Sequence, residues 1–252
     1  MRRLLLSLIC LTGLTNSFAQ TPEAEAQRWE DRGFKNVVVD DIDLEPFYQA
    51  QPLVTPSFGL KLVSVIFRTS GWSAPEIIAR TKDLTETLSQ CGVKLTQSKL
   101  ITVDPIPGFT KFDGQVRLAP DYFDDPNKKE ATVSKMLPGS RRPVIFYVQA
   151  INTDTAYANL AEAQAPGNMN LPMLDTIWIS KAITYSEHKF NPRYSVEAHE
   201  LGHVLGKLQH IYPPKLPGAK TNLMAADLYK GSPKLEASQC EKILRSELLD
   251  RI

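Results

Sequence analysis

Four histidines make up the whole imidazole inventory of this 252-residue chain, and all of them fall between residues 188 and 210. Three belong to one string, His199-Glu200-Leu201-Gly202-His203-Val204-Leu205-Gly206-Lys207-Leu208-Gln209-His210. On a helix, His199 and His203 stack on one face, close enough to share one tetrahedral metal ion. Glu200 lies about 100° around that helix, so its carboxylate reaches a water in the open metal position without becoming a ligand. Leu201, Val204, Leu205 and Leu208 form an apolar stripe on the other side. The pattern predicts a helix that is core on one face and site on the other. Asn191 followed by Pro192 predicts its N-cap and first turn, and Gly206 predicts an exit through a left-handed conformation that swings His210 back toward the metal.

With those residues in place, the stretch from His199 to Met224 resembles the metzincin clan of zinc endopeptidases, whose pattern is His-Glu-x-x-His-x-x-Gly-x-x-His followed by a Met-turn. Asn222-Leu223-Met224-Ala225 fits that turn. The resemblance implies that His199, His203 and His210 are ligands of one catalytic Zn2+, Glu200 the general base, Gly206 the turn residue and Met224 the apolar floor of the site. The chain departs from the clan by one residue, because Lys207, Leu208 and Gln209 separate Gly206 from His210. Clan spacing places Gln209 at the third-ligand position, but a neutral amide oxygen is a poorer zinc ligand than an imidazole, which favours His210. The competing assignment is a gluzincin site completed by Glu236 or Glu241 on a later helix.

Three neutral imidazoles leave the metal its full charge and one open position, the arrangement that activates water for amide hydrolysis with Glu200 as proton acceptor. The function expected is that of a secreted zinc-dependent endopeptidase acting on peptide or protein substrates. Two alternatives stay open: a zinc amidase acting on a non-protein target such as cell-wall peptide, and a catalytically inactive metzincin-like binding module. His188 reads as a solvated loop residue. Tyr229 lies five residues beyond Met224, too far to be expected as a ligand by resemblance to members that carry a metal-contacting tyrosine.

Residues 1–19 read as a signal peptide: Arg2 and Arg3 precede an apolar run from Leu4 to Leu14, and Ser17-Phe18-Ala19 is a small-x-small cleavage signal. Export to the periplasm or the medium is the expected destination. Without Arg2 and Arg3 the chain has 27 basic and 28 acidic residues, a balance that argues against nucleic acid or a stable membrane association. Cys10 leaves with the signal, so Cys91 and Cys240 remain as an even pair in an exported protein, which predicts a disulfide between two helices.

Along the chain, residues 60–68 predict a strand buried on both faces, and Ser73 and Glu76 predict the capped start of a helix ending at Gly92. Residues 100–103, 144–148 and 176–180 predict three more strands. The order matches that of metzincin catalytic domains, which implies an α+β fold: a twisted sheet with a backing helix and an active-site helix over a smaller C-terminal subdomain. The expected organisation is residues 20–59 as an N-terminal arm or short pro-segment offering an acidic group to the zinc, and 60–252 as the catalytic domain. By resemblance, residues 152–174 hold either a substrate-pairing edge strand or a surface loop. Asp121, Asp124 and Asp125 read as a solvated acidic loop rather than a calcium site.

Overall fold

The computed structural model describes residues 21–49, 55–104, 116–117, 143–149, 151–152, 160–161, 163–164, 175–181, 195–211, 222–225 and 234–252. It is a mixed α+β fold built on one seven-stranded sheet. The elements are helix α1 (Pro22–Glu30), strand β1 (Lys35–Asp41), a 3-10 turn (Glu45–Tyr48), β2 (Phe58–Phe67), α2 (Ala74–Ser89), β3 (Val93–Asp104), β4 (Val116–Arg117), β5 (Val144–Val148), β6 (Ile151–Asn152), β7 (Leu160–Ala161), β8 (Ala163–Gln164), β9 (Thr176–Ser180), α3 (Val196–Gly206), α4 (Ala237–Ile243) and β10 (Leu249–Arg251). The main sheet has the order β1-β3-β2-β5-β9-β8, with β10 on β2; β4, β6 and β7 form a small second sheet.

Strands β3, β2, β5 and β9 run parallel, while β1, β8 and β10 attach antiparallel. Parallel strands carry helices on their faces and are buried on both, which is why β2, β5 and β9 are near-continuous apolar runs. Alternation sorts their side chains. Leu60, Leu62, Ile66, Ile145, Tyr147, Ile177 and Ile179 face α2, α3 and α4. Val63, Val65, Phe67, Val144, Phe146, Val148 and Trp178 face the other way, packing with Trp29 of α1 and with Phe34. In β3 the parity switches at a register shift opposite Leu60/Lys61, so Val93, Leu95 and Leu100 lie on the first face and Ile101 and Val103 on the second.

The strands predicted at 144–148 and 176–180 have the predicted bounds, and Gly92 ends the turn after α2 at φ +71°. Glu76 accepts from both the N–H and the hydroxyl of Ser73, the capping pair expected there. The strand predicted at 100–103 is far longer, because polar residues 96–99 are also in it. Its buried Lys99 extends an ammonium 2.9 Å to Asp41 of β1. Thus part of the expected N-terminal arm is the edge strand of the main sheet, and α1 covers a face of that sheet. The C-terminal end returns to the same sheet through β10. No described helix is long and apolar enough to cross a membrane. The signal-peptide segment, the acidic loop with Asp121, Asp124 and Asp125, His188, and Tyr229 lie outside the described residues.

Candidate metal centre

Helix α3 starts later than predicted. Ser195, not Asn191, is the N-cap: its backbone is extended and its hydroxyl accepts the N–H of Ala198 at 3.2 Å. The first turn is anchored from below. Glu197 is buried and its Oε1 accepts from Arg80 Nη1 of α2 at 2.7 Å, with the Tyr147 hydroxyl donating to the same oxygen and Ser195 Oγ to the other, each at 3.4 Å. The Arg80 guanidinium also lies 5.0 Å from the Trp72 ring centre. One face of α3 thereby enters the core through Leu201 and Leu205, joined by Leu208 just past its end.

The exit from α3 corrects a second expectation. Gly206 is still helical, and Lys207 is the residue in the left-handed region, at φ 48° and ψ 36°. The N–H groups of Lys207 and Leu208 both converge on the Gly202 carbonyl. Glycine at 206 serves space rather than conformation: a Cβ there would sit tightly, 3.0 Å from Leu208 Cγ and from Ile243 Cγ1. The additional residue in the loop is absorbed by the left-handed turn at Lys207, which folds Leu208 under the helix and returns His210 to its histidine face.

The three imidazoles converge. His210 Nε2 lies 3.1 Å from His199 Nε2 and 3.0 Å from His203 Nε2. Among the described residues this is the one group of His, Cys, Asp or Glu side chains placed to hold a metal ion. The opposite ring nitrogens are fixed by carbonyls, His199 Nδ1–H donating to Leu223 O at 2.7 Å and His203 Nδ1–H to Leu208 O at 2.6 Å. A carbonyl only accepts, so both Nδ1 atoms carry the proton and both Nε2 atoms turn lone pairs inward. Burial holds His199 down to about 3 and also lowers His203 and His210, so the rings are neutral near pH 7. Neutral acceptors gathered at 3 Å suit a cation between them, and outer carbonyls of this kind fix ligand tautomers. Exposure increases from the buried His199 to the exposed His210, so the cluster opens to solvent on that side.

Beneath the cluster, residues 222–225 form a tight turn. Asn222 Oδ1 accepts the Met224 N–H at 2.9 Å, and Ala225 N donates to Asn222 O at 3.2 Å. Met224 is fully buried under α3, with Sδ only 2.7 Å from where a Cβ on Gly202 would stand. Gly202 is therefore the seat of Met224, a role its place between the histidines did not disclose. The Met224 carbonyl accepts the N–H of Ile211 at 2.7 Å, pinning the residue after His210.

Glu200, adjacent to His199 on α3, is buried. Glu236 caps α4 instead of approaching the histidines, and Glu241 lies on the exposed side of α4. Two of the acidic N-terminal residues are engaged away from the histidines, Asp41 with Lys99 across the β1–β3 pair and Asp43 with the N–H of Glu45. Cys91 and Cys240 are joined by a disulfide, linking the end of α2 to α4. Gln239 and the Arg80–Glu197 pair are the site-supporting residues that sequence reasoning missed; Asn222 and Leu223 were singled out only by their place in the Met-turn pattern, without the hydrogen bonds they make.

No protein-family model matches the chain, and no curated protein matches it in sequence. Among solved structures it is similar to metalloproteinase-II from Bacteroides fragilis, with 12% identity and a TM-score of 0.45 over 77% of this chain and 54% of that one. The chain thus spans about half the length of that protein. At this identity and score the likeness carries no assignment of activity, which rests on the side chains themselves.

Proposed function

We propose that this chain is a secreted zinc-dependent endopeptidase of the metzincin type. The observation that carries the proposal is the meeting of three neutral imidazole Nε2 atoms, two of them with tautomers set by carbonyls. A tetrahedral ion with Zn–N bonds of about 2.1 Å separates its ligand atoms by about 3.4 Å, close to the 3.0 and 3.1 Å found between the rings. His199, His203 and His210 would hold the ion. When bound, it supplies Lewis acidity, polarising a carbonyl and acidifying water.

The chain's own residues supply the rest. Glu200 accepts a proton from the attacking water at a carboxylate oxygen and delivers it to the leaving amine nitrogen, closing the proton balance of amide hydrolysis. Its burial keeps that carboxylate largely away from bulk solvent. Met224 closes the site from below, while the His210 side admits substrate. Edge strand β8, antiparallel to β9, offers backbone groups for strand addition by an extended chain, which favours a polypeptide substrate over a compact one.

The test is zinc content together with hydrolysis of denatured protein for wild type, Glu200→Ala, Gln209→Ala and His210→Ala. One zinc per chain is expected in wild type. Glu200→Ala should keep it and lose roughly 10²- to 10⁴-fold in rate. His210→Ala should lose the ion and Gln209→Ala should retain it. A correctly processed wild type that takes up no divalent ion at neutral pH removes the proposal, and turnover confined to cell-wall peptides would reassign the chain as an amidase.

A further inference from the structure

Helix α4 is seven residues long and is tied down at three points. Cys240 is bridged to Cys91, the fully buried Ile243 presses against Gly206, and the buried Gln239 meets Asn222. The last contact is reciprocal: Gln239 Nε2 donates to Asn222 Oδ1 at 3.0 Å and Asn222 Nδ2 donates to Gln239 Oε1 at 2.9 Å. Each oxygen accepts a second bond at 2.9 Å, Asn222 Oδ1 from Met224 N and Gln239 Oε1 from Glu236 N. The ring of two carboxamides thus holds the turn of residues 222–225 to α4.

That turn holds the histidines. The Leu223 carbonyl accepts from His199 Nδ1, and the Met224 carbonyl accepts from Ile211 N, next to His210. His199 directly, and His210 through its neighbour Ile211, are thus tied to four residues whose shape is set by the Asn222 side chain. Without Gln239, a buried Asn222 would have one donor and one acceptor site to re-pair, and its rotation would release Met224 N.

We propose that Gln239 is a positioning residue of the metal centre: its carboxamide, delivered by the disulfide-anchored helix α4, locks Asn222 and through it the two backbone carbonyls that aim His199 and His210. The inference rests on the zinc reading above and adds a residue to it. Only a carboxamide completes the ring, since a carboxylate cannot donate to Asn222 and an aliphatic side chain can do neither.

The experiment compares wild type, Gln239→Leu, Gln239→Glu and Val39→Ala, the last a core truncation on the opposite face of the sheet. Zinc Kd is measured by competition with a chromophoric chelator, the visible spectrum of the cobalt-substituted protein is recorded, and the apo protein's Tm is taken for each. Gln239→Leu should raise Kd by 10- to 100-fold, the usual effect of removing an outer partner of a metal ligand, and alter the cobalt bands. Gln239→Glu, which still accepts from Asn222 and Glu236, should fall between. Val39→Ala should stay within two-fold of wild type even where its Tm drops as far. A Kd within two-fold for both Gln239 variants, or an equal rise in Val39→Ala, overturns the inference. Should Gln239→Leu not fold, a wild-type Kd in Gln239→Glu overturns it alone. Wild type that binds no zinc instead sinks the functional proposal, so the two failures are told apart.

Discussion

Replacing Arg80 with methionine removes the cation from a carboxylate that cannot leave the interior. The side chains of Arg80 and Glu197 are 7% and 1% exposed and meet at 2.7 Å. Breaking such a pair by removing one partner costs about 3–5 kcal/mol, chiefly because the remaining charge is uncompensated. Glu197 retains the hydroxyls of Tyr147 and Ser195, but at 3.4 Å each they are long and offset little. The methionine restores part of the packing on Trp72, so a loss of about 3 kcal/mol is expected. In a domain of this size that lowers Tm by about 6–12 °C. Urea unfolding of the oxidised protein followed by circular dichroism measures it directly. The double variant Arg80→Met/Glu197→Leu should lose less than the two single changes summed, by at least about 1.5 kcal/mol, since it removes both charges together. A loss below about 1 kcal/mol in Arg80→Met, or strict additivity in the cycle, would refute the view that this pair anchors α3.

The two residues at the end of α3 should respond with opposite signs. Gly206→Ala gains about 1 kcal/mol of helix propensity but drives a methyl against Leu208 and Ile243, for a net loss of about 1–2 kcal/mol, whereas Lys207→Gly relieves a left-handed backbone and should stabilise by about 0.5–1 kcal/mol; chemical denaturation of each reads the sign. The metal-free protein should lose stability on acidification. His199 titrates near 3 when folded and near 6.5 when unfolded, so between those values the unfolded chain binds a proton that the native one refuses, and stability falls with pH by up to about 1.4 kcal/mol per unit from this residue. His203 and His210 act in the same direction. Urea midpoints of chelator-treated protein at pH 7.5 and 5.5 check this, and a midpoint that is unchanged or higher at the lower pH contradicts it.

What could be read in the residue order was what local periodicity encodes. The i, i+4 histidines place themselves on one helix face, the β-branched runs at 144–148 and 176–180 are strands wherever they sit, and an even cysteine pair points to its own partner. The parts that escaped depend on partners distant in sequence. The strand expected at 100–103 stops short of polar residues 96–99 because nothing local shows that Lys99 is buried beside Asp41, 58 residues away. Arg80 and Glu197 are separated by 117 positions, and Asn222 and Gln239 by 17, so neither pairing leaves a periodic trace. Asn-Pro outranks Ser195 as a helix start on propensity, but the hydroxyl of Ser195 also reaches Glu197, a tertiary reward the local rule omits. Glycine is the default choice for a left-handed residue, which misdirected the exit of α3 to position 206. Packing against Ile243 and Leu208 claims that glycine, and the turn falls on lysine.

The bridge from Cys91 to Cys240 spans 149 positions and encloses β3, β5, β9, α3 and the turn under the histidines. A backbone cut anywhere inside that span divides the polypeptide without dividing the molecule, because the two fragments stay joined through sulfur. The chain can therefore be nicked within that span and keep its parts together. Such wear would be invisible on a non-reducing gel and would separate into two bands only after thiol treatment.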